Sequence, residues 1–447
     1  MATTGAPRAA PAAEKDEAVA TSTDALTRKD DRYEEMFDVE KETTHSGGVL
    51  IDDLYRKFAD LRSRGPILAA DLHKTLTGID NPTTPAARAT HFTTLTFDTT
   101  NKALMDNVTY SSAHYHEMPS VMQSIGHTIL TMVAPEHGRY RSAIQPMMTR
   151  QQAMGWWREK WVEPFVATLI DDIERQRDGA DLALALCARL PMHTVTAAYG
   201  LGSEEALDFR NNLLASLSAH DPAVRSASQQ KVREVLIGAI AERRRDRRDD
   251  LISRLIDTPF ADAEGNGTGL SDEDILSFSR LLLLAGGGTT FRQMGILIFA
   301  LLSNRDQLED LRVDRGLMQG AIEESVRWEC TDPLFHRLAT KDSVLGGTEI
   351  PAGSLIDVCL GAANRDPERW DDPDRYDLHR PEKRHLGFAG GPHTCLGRFV
   401  AAAEMTAAVN ALLDRLPKLR LDDRGEPTRI IGGLQARGVN HLRVRFD

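Results

Sequence analysis

The chain has 447 residues, of which 41% are hydrophobic and 27% are charged. This is ordinary globular composition, and it excludes a fibrous repeat or disorder over the whole chain. The formal net charge is −12, which argues against attraction to phosphate backbones, so we expect no nucleic-acid partner.

The four cysteines, at positions 187, 330, 359 and 395, include no Cys-x-x-Cys pair. They match neither a disulfide-stapled small domain nor a structural zinc site, and a reducing compartment fits them best. No stretch approaches 18 uninterrupted apolar residues, so we expect no membrane span. The first residues also lack the apolar core of a signal peptide. We therefore expect a cytoplasmic protein.

The chain begins with a segment rich in Ala, Thr, Pro and charge that holds few large apolar residues. Such a segment buries too little surface to offset its ordering entropy, so we predict a disordered tail over 1–48 and one domain over 49–447. From Ile51 apolar residues recur at helical spacing and predict a first helix, and a Thr-rich strand is predicted from His91.

Beyond residue 118 the pattern is mainly helical. The longer helices are predicted near 153–177, 203–218, 222–245, 271–304, 316–329 and 398–415. The charged stretch at 242–250 is predicted to end a solvated helix. Short strands are predicted only between 336 and 360 and at the C-terminus. The sequence therefore indicates a mainly α fold with minor β-sheet, without βαβ alternation.

The most informative stretch is a glycine-rich loop around Cys395, which reads FAGGPHTCLG and precedes a predicted helix. Its glycines let the backbone approach a flat group closely. Because Cys395 lies two residues before the helix begins, free amide groups and the helix dipole stabilise a thiolate there. Phe388 can cover the sulfur from one side, and His393 offers a donor two positions away.

Three other interpretations of Cys395 are open. A lone cysteine in a glycine turn is more often a buried structural residue, but small residues crowd this one on both sides. Zinc would need three more ligands, and only His385 and His393 are near in the sequence. A nucleophilic cysteine would need a histidine and an orienting carboxylate, and no third member is evident.

The loop resembles the haem-thiolate signature of the cytochrome P450 family, Phe-x-x-Gly-x-His-x-Cys-x-Gly. Every specified position is matched, by Phe388, Gly391, His393, Cys395 and Gly397. The resemblance implies that family's fold, a helical triangular prism with small β-sheets. It also implies one haem b (iron protoporphyrin IX) with Cys395 as the axial ligand of its iron. Such a thiolate donates electron density to the iron and favours O–O cleavage.

A predicted long helix carries three interior glycines in the sequence LLLLAGGGTTF. Interior glycines cost about 1 kcal/mol each relative to alanine, so we expect something to press against this backbone or a groove to open there; tight helix packing is the alternative. The stretch resembles the family's distal motif, Ala/Gly-Gly-x-Asp/Glu-Thr-Thr/Ser. Ala285, Gly286, Thr289 and Thr290 match it, and the resemblance implies catalytic threonines and a haem contact at Ala285.

Gly288 occupies the acidic position of that motif. In the family the acid–threonine pair helps to relay protons, and a glycine cannot ionise. We expect solvent held in the glycine gap, or a polar group on the substrate, to take over the relay. The departure also leaves room for a peroxide-driven, desaturating or oxidative-coupling enzyme.

Two further groups of residues resemble the family. Glu324 and Arg327 match its Glu-x-x-Arg helix motif, and Arg380 is expected to complete a buried network, with Arg375 as the alternative. Four side chains are implied as partners of the haem propionates: His137 and Arg141, which share a helix face at i and i+4, together with Arg337 and His393.

The resemblance covers residues 50–447 and implies a soluble bacterial monooxygenase supplied with electrons by a ferredoxin and its reductase. A basic patch formed by Arg139, Lys383, Arg384 and Arg398 is expected to dock the ferredoxin.

The predicted cavity walls are Met118–Ile129, Leu281–Thr289, Leu334, Phe335, Val439 and Asn440. These are mostly apolar, so a medium-sized lipophilic substrate is expected, such as a terpenoid, steroid, polyketide or aromatic. A haem-based ligand sensor is a weaker alternative, because no signalling domain is visible.

Overall fold

The computed structural model describes residues 23–45, 48–80, 90–177, 179–219, 221–263 and 265–447. Helices account for 56% of it and strands for 9%, in small separate sheets. The α-helices are α1 (Thr23–Thr27), α2 (Arg32–Met36), α3 (Val39–His45), α4 (Leu54–Arg62), α5 (Leu72–Thr77), α6 (Phe97–Met105), α7 (Ala113–His116), α8 (Pro119–Ser124), α9 (Glu136–Ile144), α10 (Arg150–Gln152), α11 (Glu163–Arg175), α12 (Arg189–Ala198), α13 (Ser203–Ser218), α14 (Pro222–Arg245), α15 (Leu251–Ile256), α16 (Asp272–Ser303), α17 (Arg305–Val313), α18 (Met318–Trp328), α19 (Leu360–Asn364) and α20 (Arg398–Arg415).

Shorter helical turns connect these elements. A π-helix, Ala153–Val162, joins α10 to α11, so residues 150–175 are helical without a break. A second π-helix covers Ala183–Cys187, and 3₁₀-helices cover Gln145–Met148, Arg315–Leu317 and Gly391–His393. The predicted helices from 153 onward are all present, with ends within three residues of the predicted positions.

The strands form four small sheets. The strands are β1 (Ile67–Leu68), β2 (His91–Thr94), β3 (Tyr110–Ser111), β4 (Ala180–Asp181), β5 (Leu334–Ala339), β6 (Ser343–Leu345), β7 (Thr348–Ile350), β8 (Leu355–Cys359), β9 (Arg420–Leu421), β10 (Ile430–Ile431), β11 (Gly438–Val439) and β12 (Arg443–Arg445). The largest sheet has the order β1-β2-β8-β5-β3, and its β2–β8 pair is parallel. The others are β4-β12-β9, β6-β7 and β10-β11. The mainly α prediction with minor sheet is confirmed.

Helix α16 is the central element of the core. It begins at a capping box, in which Ser271 and Asp274 each accept a hydrogen bond from the other's backbone N–H, the arrangement that satisfies free donors at a helix start. The helix is long and apolar enough to cross a membrane, but 67% of its most apolar window is buried inside the fold. It packs against α12, α13, α14, α18 and α20, as expected of a core helix.

The prediction of a disordered tail is wrong for residues 23–45, which we call the N-terminal segment. They form α1, α2 and α3. Leu26, Tyr33, Phe37 and Val39 are buried in the main core, and the Phe37 ring lies edge-on to Phe291 of α16 with centroids 5.1 Å apart. Four buried apolar side chains suffice to anchor this short polar stretch. Residues 1–22 and 46–47 lie outside the described residues.

The prediction of a solvated helix end at 242–250 is also wrong in part. The Arg243 side chain is 1% exposed and pairs with Asp250 at 2.6 Å. Its guanidinium also donates to the carbonyl of Gly200. The charged stretch therefore includes a buried ion pair that fixes the turn between α14 and α15.

Candidate active site

A cavity of about 340 Å³ lies between α16 and the Cys395 loop. The predicted site residues that line it are Arg141, Ala285, Thr289, Thr290, Arg337, Phe388, His393 and Cys395. These residues come from four separate parts of the chain, so the fold brings together what the motifs only implied. His137, Gly288 and Gly391 are near the cavity but do not form its surface.

Cys395 lies just before α20, as the sequence predicts. Its backbone N–H donates to the carbonyl of Phe388 at 2.9 Å, which closes the loop. Its side chain is exposed only toward the cavity that it lines. Burial raises the pKa of the Cys395 thiol, while the N–H groups of Gly397 and Arg398 and the charge of Arg141 lower it. The helix start therefore supplies the donors that a thiolate needs.

The loop needs glycine at position 391. Gly391 has φ +67°, and a Cβ there would lie 2.4 Å from the carbonyl oxygen of Leu104 in α6. A side chain would be strained in this left-handed conformation and would also clash with the backbone. The tight contact with α6 holds the loop in the position from which Cys395 faces the cavity.

A cluster of basic side chains lies at one side of the cavity. Arg141 donates to the carbonyl of Thr394 at 2.8 Å, and Arg337 donates to the carbonyl of His336 at 2.9 Å. Arg337 is 5% exposed, and its Nε lacks a hydrogen-bond partner. Within the described parts of the chain, neither arginine has a carboxylate within 4 Å, although such a buried charge is costly when unpaired.

His137 and His393 complete this cluster. Their rings lie 4.1 Å apart between centroids, and the Nε2 of His137 is buried without a hydrogen-bond partner. Burial, with the charges of Arg141 and Arg337, lowers the pKa of His137 to about 4. Burial and the same arginines lower the pKa of His393 to about 2. Two buried side chains, His137 and Arg337, and two partly buried ones, Arg141 and His393, form a site for anionic groups, and two carboxylates such as haem propionates fit it.

The distal wall of the cavity is the middle of α16. The Thr289 hydroxyl donates to the carbonyl of Ala285 at 2.8 Å, and Thr290 is buried beside it. A Cβ on Gly286 would lie 3.4 Å from Val195 of α12. The close approach of another helix therefore explains one of the three glycines, as the packing alternative predicts.

The other two glycines make room for Arg210 of α13. A Cβ would lie 2.9 Å from its Nη1 at Gly287, and 3.0 Å from its Nη2 at Gly288. The guanidinium donates to the carbonyls of Leu283 and Leu284. Arg210 therefore occupies the space into which a side chain at Gly288 would point, and the expectation that solvent or a polar group of the substrate takes over the relay stays a prediction. The sequence offered no signal for Arg210, which lies 78 residues earlier.

The predicted structural network is present. Arg327 pairs with Glu324 through two hydrogen bonds, of 2.7 and 2.8 Å, and Arg380 donates to the same carboxylate at 3.0 Å. Arg375 contributes only its backbone carbonyl, which accepts from both arginines. The side chain of Arg380, and not that of Arg375, therefore completes the network.

The predicted cavity walls are right in part. The predicted residues that contribute to the surface are Ile129, Leu281, Leu282, Ala285, Gly286, Thr289 and Phe335. Residues 118–128, Leu334, Val439 and Asn440 do not contribute. Val439 instead packs against Gly295 of α16. The wall also includes Leu130, Met148, Pro191 and Val195, which sequence patterns could not separate from ordinary core residues.

Comparison with known proteins agrees with this site. The family model described as cytochrome P450 matches residues 201–431. The cytochrome P450 monooxygenase PikC of Streptomyces venezuelae is 33% identical over 72% of this chain and 78% of its own. The 6-deoxyerythronolide B hydroxylase of Saccharopolyspora erythraea is 30% identical over 88% of this chain and 96% of its own. The ligand-free structure of the P450 monooxygenase TamI matches with a TM-score of 0.74, at 27% identity, over 88% of this chain and 92% of that one.

The chain belongs to the cytochrome P450 family. It is a bacterial haem-thiolate enzyme of the monooxygenase class, which its relatives' names and the fold support together. The Cys395 loop and the basic cluster are the parts of this structure that fit a haem. Cys395 would bind its iron, and His137, Arg141, Arg337 and His393 would hold its propionates.

Proposed function

We propose that this enzyme inserts one oxygen atom into a medium-sized lipophilic secondary metabolite, with two electrons from a ferredoxin and its reductase. The observation that carries the proposal is one cavity in which Cys395 at the start of α20 and the threonines of α16 share a surface. The bound haem supplies the activation of dioxygen. Everything else is the work of the chain's own side chains.

Each group has a separate role in this proposal. Cys395 would bind the haem iron as a thiolate and donate electron density to it, and the basic cluster would hold the propionates and so fix the orientation of the cofactor. Thr289 holds a proton on its hydroxyl, which it now donates to Ala285 and can donate into the cavity after rotation about χ1. Thr290 supports that wall. The surrounding apolar residues exclude water, which limits side reactions.

The substrate proposal depends on the wall and on the relatives. Ile129, Leu282, Val195 and Phe335 give a mostly apolar surface, which favours a lipophilic ligand. One relative is named as a hydroxylase of 6-deoxyerythronolide B and another as a cyclomarin C epoxidase. These names favour a large natural product over a small aromatic. A cytoplasmic location remains part of the proposal.

The first experiment tests the cofactor assignment. Purified protein loaded with haem is reduced and exposed to carbon monoxide, and its absorbance is compared between wild type, Cys395→Ser and Cys330→Ala. We expect wild type and Cys330→Ala to show the thiolate-type band, because Cys330 is buried outside the cavity. Loss of the band only in Cys395→Ser supports the assignment. Retention of the band in Cys395→Ser would contradict it.

The second experiment tests the activity. The ferric protein is titrated with 6-deoxyerythronolide B and with terpenoid, steroid and aromatic compounds, and a shift from low to high spin marks a bound substrate. A responding compound is then incubated with ferredoxin, reductase and NADPH. We expect reductant consumption that depends on the compound, with an oxygenated product. Binding without product formation would contradict the monooxygenase and favour a ligand sensor.

A peroxide-driven enzyme is the second candidate, and the absence of an acid at Gly288 favours it. It predicts product from hydrogen peroxide and substrate without ferredoxin, reductase or NADPH. Product that forms faster with peroxide than with the redox partners would establish this alternative. Product that needs the redox partners would exclude it.

A further inference from the structure

Glu42 of the N-terminal segment lies beside the position where the distal helix lacks its acid. A Cβ on Gly288 would be 3.9 Å from Glu42 Oε1, 3.0 Å from Arg210 Nη2 and 3.8 Å from Arg292 Nη1. An aspartate there would therefore reach the same two guanidinium groups that Glu42 now faces. The carboxylate arrives from α3, some 246 residues earlier in the chain.

The charges around Glu42 form a connected set. Glu42 makes a short ion pair with Arg292, and Arg292 also contacts Asp332 at 3.4 Å. Arg292 is 4% exposed, while Glu42 and Asp332 are 28% and 23% exposed. Asp332 lines the cavity. The set therefore runs from the protein surface at Glu42, through a buried arginine, to the wall of the active site.

Arg210 depends on the same carboxylate. It is buried, its Nε has no partner, and its other contacts are backbone carbonyls of α16. Burial lowers its pKa to about 10, and Glu42 is the acidic group that acts in the opposite direction. Without Glu42, two arginines would face each other across Gly288 with only Asp332 nearby, and buried like charges are strongly unfavourable.

We propose that Glu42 supplies in space the carboxylate that α16 lacks in sequence, and that the N-terminal segment is therefore part of the active site. Glu42 is a positioning residue: it holds Arg210 and Arg292 in place beside Gly288 and keeps an acid next to the distal helix. This inference rests on the proposed monooxygenase function. In coupled turnover, one dioxygen, two electrons and two protons give one oxygenated product and one water. When proton delivery is disturbed, the same dioxygen, electrons and protons form hydrogen peroxide instead of product and water.

The central test is whether an acid at 288 replaces Glu42. The variants are Glu42→Gln, Glu42→Gln with Gly288→Asp, Glu42→Gln with Gly288→Asn, and Glu40→Gln as an exposed acid on the same helix. We expect Glu42→Gln to lower product formed per NADPH by roughly tenfold or more, because a displacement of about 1 Å at a reaction site can cost on the order of a hundredfold, with a matching rise in hydrogen peroxide. Gly288→Asp should restore coupling, Gly288→Asn should not, and Glu40→Gln should match wild type.

A second measurement needs neither haem nor turnover. The thermal midpoint of the haem-free protein should fall by a few degrees in Glu42→Gln and recover with Gly288→Asp but not with Gly288→Asn. The aspartate is sterically acceptable, because the nearest atom is the movable end of Arg210.

The outcomes separate the two proposals. If wild type makes no product, the proposed function fails, whereas the thermal midpoints still test the charge set. If wild type is active and Glu42→Gln couples equally well, the inference about Glu42 is wrong. It is also wrong if folded Glu42→Gln/Gly288→Asp shows no recovery of coupling, because then an acid at position 288 would not replace Glu42.

Discussion

At the scale of single residues, the site is defined by groups whose ordinary partners are not protein side chains. Arg337 and His137 are buried with unpaired nitrogen atoms, which proteins normally avoid. The positions of both residues were predictable from a motif resemblance. For His137 the spacing supports it, because His137 and Arg141 lie one helical turn apart. The burial of Arg337 and His137 and the tilted contact of His137 with His393, 4.1 Å between ring centroids, were not predictable, since no local pattern reports which side chains meet across the fold.

Gly391 gives a prediction at this scale. Gly391→Ala should destabilise the haem-free protein by about 1–2 kcal/mol from its left-handed backbone alone, and by more through the clash with Leu104. Haem incorporation should fall with it, because the Cys395 loop moves. Thermal unfolding and haem content are the measurements.

Gly397→Ala is the matched control for that substitution. Gly397 has φ −82°, and its Cβ would meet no described atom within 4 Å. Its thermal midpoint without haem should therefore remain close to wild type. Equal losses in the two variants would show that the contact with α6 does not position the loop.

His193 predicts an acid-dependent loss of stability. Burial lowers its pKa to about 3, and its Nε2 is 2.8 Å from the Tyr33 hydroxyl of the N-terminal segment. A depressed histidine pKa stabilises the fold above the unfolded value of 6.5, and that contribution is lost as the pH falls toward 3. Between pH 7.5 and 5 the expected loss is about 2 kcal/mol.

The His193 prediction is tested by denaturant unfolding at both pH values. His193→Gln cannot titrate and should lack this part of the pH dependence. Tyr33→Phe removes the hydrogen bond but leaves the histidine buried, so it should keep the slope. A wild-type slope that persists in His193→Gln would show that other groups cause it.

At the scale of elements, the sequence predicts the long helices well and their partners poorly. The apolar spacing of α16 and the Ser271–Asp274 cap are local signals. The reason for its glycines is not local: Gly287 and Gly288 are small because Arg210 of another helix lies on them. A run of glycines indicates that another group approaches the helix backbone, but it does not identify that group.

The turn between α14 and α15 offers a test of the buried pair Arg243–Asp250. Asp250→Asn should destabilise the protein by about 3 kcal/mol, the order expected when one partner of a buried ion pair is removed. Asp246→Asn, at an exposed position in the same stretch, should change stability by less than about 0.5 kcal/mol. Denaturant unfolding measures the free energy of unfolding of both variants. Similar values would show that the Arg243–Asp250 pair contributes little to stability.

At the scale of the whole molecule, the mainly α architecture followed from the spacing of apolar residues, and the family resemblance supplied the arrangement. The helices of the N-terminal segment were not predicted, because the composition of the segment is polar. Of its six apolar residues, Met36 is partly buried and the other five are buried, namely Ala25, Leu26, Tyr33, Phe37 and Val39. Their placement rather than their number therefore determines that the segment folds.

We expect the proposed ferredoxin to dock on the surface around the Cys395 loop. Lys383, Arg384 and Arg398 are exposed there, while Arg139 is only partly exposed, and the whole chain is acidic. Lys383→Glu with Arg398→Glu should slow reduction by ferredoxin about tenfold at low salt, because steering raises association rates by that order. The difference should shrink at high salt. Stopped-flow reduction is the measurement.

A control with the same change in net charge is available on α14. Lys231→Glu with Arg245→Glu alters two exposed cations on a helix that packs with α13, α15 and α16. It should leave the rate of reduction close to wild type. Equal effects in the two double variants would show that net charge, and not a local patch, governs the encounter.

The docking of the N-terminal segment also has a consequence for biosynthesis. Its partners His193 and Arg292 lie 160 and 250 residues further along the chain. At roughly 5–20 residues per second, a ribosome needs about 10 to 50 s to make the second of them. During that interval Tyr33 and Phe37 have no surface to bury against. The helices of the N-terminal segment therefore leave the ribosome well before α16 has been made, and Phe37 stays exposed until then.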